Sequence, residues 1–282
     1  MSKRAQTGRP QAARRVMNPR ESNRLFLYEY DRGSNYEQDT RLTEALSALL
    51  PEDGLVHPDQ RLFQTVHLIT EYAWCEMHYE MRRAAAALRE RDYLLAAQLL
   101  ERAAAMGGVP VRALKVLLDF LPQESLLRMR ETFPENTTGL DSPGARNLRR
   151  AAVALWEEAE EAIAREGLDI RGLIVAQGRV TPPDREDRAP ELALVRQALL
   201  KLDGAVGAWK HHHLRLVWSQ LGGHPEATPG AQDVAREGLP KSLRGQSTAG
   251  VRAMADRSLF PRLWDSVDDT YRAFVPDEQT PS

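Results

Sequence analysis

The chain has 282 residues, 38 Lys+Arg against 40 Asp+Glu, one Cys and 42% hydrophobic residues. The net charge of −2 argues against a nucleic-acid partner, and a single Cys excludes a disulfide framework, a Cys-ligated zinc site and an iron–sulfur cluster. No CxxCH haem-attachment motif occurs, and no apolar run approaches the roughly 18 residues of a membrane span, so we expect a soluble cytoplasmic protein.

In chain order, residues 1–24 carry Lys3, Arg4, Arg9, Arg14, Arg15, Arg20 and Arg24 against Glu21 alone. That is a net charge of about +6, leaving about −8 for the rest, and it reads as a disordered basic arm. The segment is Arg-rich and acid-poor like a transit peptide, but Pro10, Pro19 and the lack of an apolar face argue against one. Residues 25–275 read as a single helical domain and 276–282 as a disordered tail. From Tyr36 onward Ala, Leu, Arg and Glu dominate, and the spacing predicts helices over 38–49, 58–90, 93–106, 110–119, 123–131, 142–166, 189–221 and 248–274. Breaks are expected at Pro51, Gly107–Gly108, Pro122, Pro143, Gly167, Pro182–Pro183 and Gly222–Gly223, with Asp92 and Ser142 as helix caps. The Pro-, Gly- and charge-rich segments 172–188 and 223–247 read as loops. The expected fold class is all-α, a helical bundle of long antiparallel helices, which builds its site from side chains on facing helices.

The first long helix carries Phe63, His67, Glu71, Trp74 and His78 at spacings of four, four, three and four. They fall on one stripe, with Val66, Ile69, Ala73 and Met77 beside it as expected core. Polar groups beside an apolar face need partners, so the stripe is either a hydrogen-bonded core histidine or a site facing a cavity. A di-iron site would need Glu-x-x-His on two helices, and no His of this chain has Glu three positions before it.

The second long helix reads Trp209, Lys210, His211, His212, His213 and, further on, Val217 and Leu221. Three consecutive helical residues point about 100° apart and cannot share one metal. His213 lies on the apolar face with Trp209, Leu216, Val217, Gln220 and Leu221, while His211 and His212 point toward solvent. A lone buried imidazole is a poor zinc site but suffices as the axial ligand of a haem iron; the alternative is a packed core histidine.

These residues carry a resemblance. Trp209-x3-His213 followed by Val217 and Leu221–Gly222 is similar to the haem-ligand helix of tryptophan 2,3-dioxygenases. Phe63, His67 and Glu71 resemble that family's Phe-x3-His-x3-Glu motif. Asn35–Tyr36 before Leu42 and Leu49–Leu50 resembles its entry segment, and Phe260, Pro261, Arg262, Leu263 and Trp264 stand where it has a closing helix. The matches span roughly residues 35–264. The resemblance implies a b-type haem with His213 as proximal iron ligand, Trp209 and Val217 packing beside the cofactor, and His67 as the distal polar group. It also implies an amino-acid carboxylate clamped by an Arg at the start of the 142–166 helix. Arg146, Arg149 and Arg150 are candidates, and Arg149 lies nearest the apolar face set by Leu148, Ala152 and Leu155, about 70° from its centre.

The departures are informative. The dioxygenases carry a Gly-Thr-Gly-Gly-Ser loop soon after the ligand helix. Here an insertion intervenes, and the equivalent loop holds Gly245, Ser247, Thr248 and Gly250. Ala73 stands where the family has Trp, with Trp74 next. Such departures resemble the histidine-ligated haem hydroxylases of natural-product pathways. The implied activity is ring hydroxylation of an aromatic amino acid, L-tyrosine to L-DOPA, with hydrogen peroxide or with oxygen plus a reductant. Phe63, Glu71 and Trp74 would line the substrate site, and Ser247 and Thr248 would grip the amino-acid end. A homo-oligomer is expected from the same resemblance. Two alternatives stay open: a tryptophan 2,3-dioxygenase that opens the indole ring, and a cofactor-free helical interaction protein.

Overall fold

The computed structural model describes residues 15–30, 33–133, 139–177, 187–224 and 248–274. Among them the structure is all-α, with no strand and one isolated antiparallel bridge, Val16 to Glu29. By its internal contacts the chain divides into two compact units, Met1–Thr65 and Val66–Ser282.

In the first unit, Met17 N–H donates to the Tyr28 carbonyl and Tyr30 N–H to that of Arg15. The Asn18 side chain donates to the Phe26 carbonyl and accepts from Tyr28 N–H, at 2.8 and 2.9 Å. Residues 15–24 of the expected disordered arm are therefore bonded into structure, because the short polar side chain of Asn18 satisfies a turn its backbone could not. Residues 1–14 of that arm and the tail 276–282 lie outside the described residues. Helix α1 (Asn35–Thr40) opens on a Ser34–Glu37 capping box. Arg41 takes the left-handed conformation at φ 51°, which ends α1 and starts α2 (Leu42–Leu46), so the single helix expected over 38–49 is two short ones.

Helix α3 (Gln60–Arg89) begins in the first unit and continues into the second. Trp74, Met77, Met81, Ala84 and Leu88 form its buried stripe at helical spacing. Ile69, expected in the core, is exposed; one residue on, Thr70 takes the buried position and its hydroxyl donates to the Val66 carbonyl at 2.8 Å. Helix α4 (Tyr93–Phe120) opens on Asp92, whose carboxylate accepts from Leu95 N–H. The break expected at Gly107–Gly108 is absent. Pro110 offers no N–H to the Met106 carbonyl, yet the helix runs on. Gly107 marks a crossing instead: a Cβ there would stand 2.9 Å from Ala205 Cβ and 3.3 Å from Met77 Cε, so the missing side chain lets α4 meet α3 and the helix that carries Ala205 together.

Helix α5 (Gln123–Met129) follows, then α6 (Pro143–Arg165), capped by Ser142 through Ala145 N–H with Pro143 in its first turn. Residues expected as loop form α7 (Ile170–Gln177), where Asp169 accepts from Gly172 N–H and Leu173 is buried. Helix α8 (Ala189–Leu221) has the expected bounds and packs against α4 and α7. The helix expected over 248–274 is two, α9 (Thr248–Ala255) and α10 (Pro261–Phe274), because the link between them turns to place Leu259 and Phe260 in the core before Pro261 restarts the helix. No helix of the described residues is long and apolar enough to cross a membrane.

Candidate functional site

The site is built on α8 and α3. Along α8 the apolar face reads Val206, Trp209, His213, Leu216, Val217 and Gln220, all buried. The three consecutive histidines separate as their helical angles require. His211 is exposed and His212 half-buried, and each ring donates from Nδ1 to the carbonyl four residues back, Gly207 and Ala208, at 2.8 Å. His213 is buried at 8% exposure, and its Nδ1 has no hydrogen-bond partner. Its ring lies 5.4 Å from that of Trp209, and Trp209 meets Trp74 of α3 edge-on at 5.1 Å. Burial drives the His213 pKa from its ordinary 6.5 down to about 4, with the positive charge of His67 adding to the same direction. His67, half-buried on α3, is thus close enough to His213 for one charge to be felt by the other.

The start of α6 is fixed onto α3. Glu71 accepts from Gly144 N–H at 2.9 Å, a carboxylate at the positive end of the helix. A Cβ at Gly144 would stand 2.6 Å from Trp74 Cβ and 2.8 Å from Glu71 Oε2, so only glycine permits this approach. The turn Gly139–Asp141 precedes α6 and is held by Arg149, whose Nη1 donates to the Leu140 carbonyl at 2.8 Å. That turn reaches His213: a Cβ at Gly139 would lie 2.9 Å from His213 Nε2 and 3.2 Å from Cδ2.

A haem iron needs a neutral imidazole with a nitrogen to give and room in front of it. The donor fits, since His213 is buried, neutral at pH 7 and short of a partner at Nδ1. The room on the Nε2 side is taken by the backbone of Gly139, so the donor fits the group and the space beside it does not. Among the described residues no three His, Cys, Asp or Glu side chains converge as a metal-binding group.

The expected site residues do not all gather there. His67, Glu71, Trp74, Trp209, His213, Val217 and Arg149 belong to the second unit, and Trp209, Val217 and His213 share one face. Trp74, expected as a pocket wall, is only 1% exposed and packs in the core, because Gly144 and Trp209 close over it. Glu71, expected at the substrate, is occupied by the α6 backbone. Arg149 is half-buried, whereas Arg146 and Arg150 are exposed. Phe63 lies in the first unit and is half-buried. Thr248 begins α9; its side chain, and the whole of Ser247, lie outside the described residues. Sequence reasoning missed Gly139 and Gly144, which carried no local signal, and Lys210, which did: with Val206, His213 and Val217 it keeps the buried helical spacing. The chain matches no protein-family model and none of the curated proteins.

Proposed function

We propose that this protein is a haem-dependent oxygenase that hydroxylates the ring of an aromatic amino acid, L-tyrosine to L-DOPA, using hydrogen peroxide or oxygen with a reductant. One observation carries the reading: His213 is buried, neutral and unpartnered at Nδ1, its pKa lowered first by burial and then by the charge of His67 on another helix. A purely structural core histidine satisfies both ring nitrogens where it can. His213 would hold the haem b iron, with Trp209 and Val217 packing beside the group. Haem, when bound, supplies the oxygen-transfer chemistry. His67 would accept a proton from the oxidant or the phenol and return it, a task suited to an imidazole near neutral pH. Arg149 would meet the amino-acid carboxylate by a charge-assisted bond.

The deciding experiment is the absorption spectrum of protein from haem-supplemented cells, beside His213→Ala. We expect a Soret band in the wild type and at least a tenfold loss of bound haem in the variant. A colourless wild type that also refuses added haem overturns the oxygenase reading and leaves the helical interaction protein. Labelled oxygen gas separates the ring-opening alternative, which puts two labelled atoms into one product where hydroxylation puts at most one.

Self-association belongs to the same proposal. Leu25, Phe26 and Tyr28 of the first unit are exposed, at 91, 70 and 55%, and large apolar side chains in a cluster mark contact surfaces. Sedimentation is expected to give a dimer or larger, and Leu25→Glu with Phe26→Glu to give a smaller species. A monomeric wild type contradicts this part.

A further inference from the structure

His213 has what a donor needs except clearance. Its ring is buried on α8 beside Trp209, and its Nδ1 is enclosed without a partner. On the other side of the ring stands backbone. A Cβ at Gly139 would lie 2.9 Å from His213 Nε2, 3.2 Å from Cδ2 and 3.7 Å from Trp209 Cη2. The turn Gly139–Asp141 is therefore laid against both rings at once, and only a residue without a side chain comes this close.

The turn and the chain beyond it are held differently. Beyond it, Ser142 accepts from Ala145 N–H at 3.2 Å and Glu71 accepts from Gly144 N–H at 2.9 Å, which pins the start of α6. The turn itself is fastened to α6 by the bond from Arg149 Nη1 to the Leu140 carbonyl at 2.8 Å, and by the Leu140 side chain, which is buried. Inside it, Ser142 N–H donates to the Gly139 carbonyl at 3.3 Å, closing one 3₁₀ turn. Swinging residues 139–141 out breaks few contacts, whereas moving 142–144 would undo the cap of a 23-residue helix. Local openings of this kind lie far below global unfolding in free energy.

We propose that the Gly139–Asp141 turn is a closed latch over His213: hinged at Ser142 and fastened by Arg149, it withholds Nε2 from an incoming group until it swings away. The latch stands on this geometry. Only the kind of group it holds off, an iron-bearing cofactor, rests on the oxygenase reading. A reagent or ligand that reaches only the open form reacts or binds in proportion to the fraction open, so a variant about tenfold more open responds about tenfold more strongly.

The test uses the full chain carrying His211→Gln and His212→Gln, so that the tryptic peptide between Lys210 and Arg215 reports His213 alone. The probe is diethyl pyrocarbonate at pH 7, which acylates a neutral imidazole nitrogen, with free N-acetylhistidine setting the unhindered rate. His213 is neutral there, so slow acylation reports cover and not charge. The parent protein is expected to react on the order of 100-fold more slowly than N-acetylhistidine. Arg149→Met keeps the stem and loses the donor to Leu140; it is expected to speed acylation of His213 by about tenfold or more. Gly139→Ala puts a Cβ where Nε2 lies and is expected to do the same, which gives a second reading should the first variant not fold. Leu173→Ala, buried in α7, is expected to lower Tm and leave the rate unchanged. An unhindered rate in the parent, or Arg149→Met and Gly139→Ala proteins as slow as the parent, overturns the latch. So does a Leu173→Ala protein as fast as those two, because access then comes from general loosening. Haem titration of the same proteins keeps the latch and the cofactor separate. Variants that open His213 to the reagent but bind no haem keep the latch and lose the oxygenase reading. Variants that stay covered against the reagent while they and the parent take up haem equally do the reverse.

Discussion

Replacing His67 with alanine is expected to lower turnover of L-tyrosine with hydrogen peroxide by about 100- to 10,000-fold while the Soret band of the haem-loaded protein remains. The two halves of this result have different causes. On the proposed function the band would depend on His213, which the substitution leaves in place on α8. Turnover would depend on a group that can take and return a proton near neutral pH, and His67 is the side chain whose charge reaches His213. His67→Gln separates the roles further. A glutamine keeps a hydrogen-bonding group on the same helix position but cannot titrate, so the rate should fall and lose the acid limb of its pH profile. Loss of the band in either variant would mean that His67 supports the fold around His213. Full turnover in His67→Ala would remove the proton-transfer role altogether.

Local spacing made much of this protein legible, and distant contacts hid the rest. The buried face of α8 could be read from Trp209, His213, Leu216, Val217 and Gln220, because 3.6-residue periodicity is a property of the segment itself. The caps Asp92 and Ser142 were equally local. Gly107 was misread as a break because glycine and proline are poor helix formers, while its actual use depends on Ala205 and Met77, far away in sequence. Residues 172–177, read as the start of a loop, form most of α7. Gly139 and Gly144 were invisible: nothing near them says that one will touch His213 and the other Trp74. Lys210 is a different kind of miss. Its spacing puts it on the buried face, but nothing local says that its charge will be buried; that depends on the α9–α10 link, where the Arg257 carbonyl accepts from Nζ.

Acid is expected to destabilise the wild type more than a His213→Leu variant, by about 3 kcal/mol at pH 4. In the folded chain burial, with the His67 charge behind it, holds His213 neutral down to about pH 4, whereas in the unfolded chain it titrates at its ordinary 6.5. The unfolded state therefore binds an extra proton throughout the window between those values. The stability tied to neutral His213 is complete above pH 6.5 and is lost as pH falls toward 4. Leucine fills the same buried position without a titrating group, so its unfolding curve should lack this component, and the difference between the two proteins cancels the carboxylates they share. Urea midpoints at pH 7 and pH 4 supply the measurement, and parallel losses in both proteins would show that His213 is not the buried base inferred here. Adding His67→Ala to the wild type should shrink the effect, since one of its two causes is gone. The burial that makes the fold acid-sensitive also keeps a lone pair on His213 well below neutral pH, so an imidazole that weakens the fold in acid is the one best able to serve as a donor there.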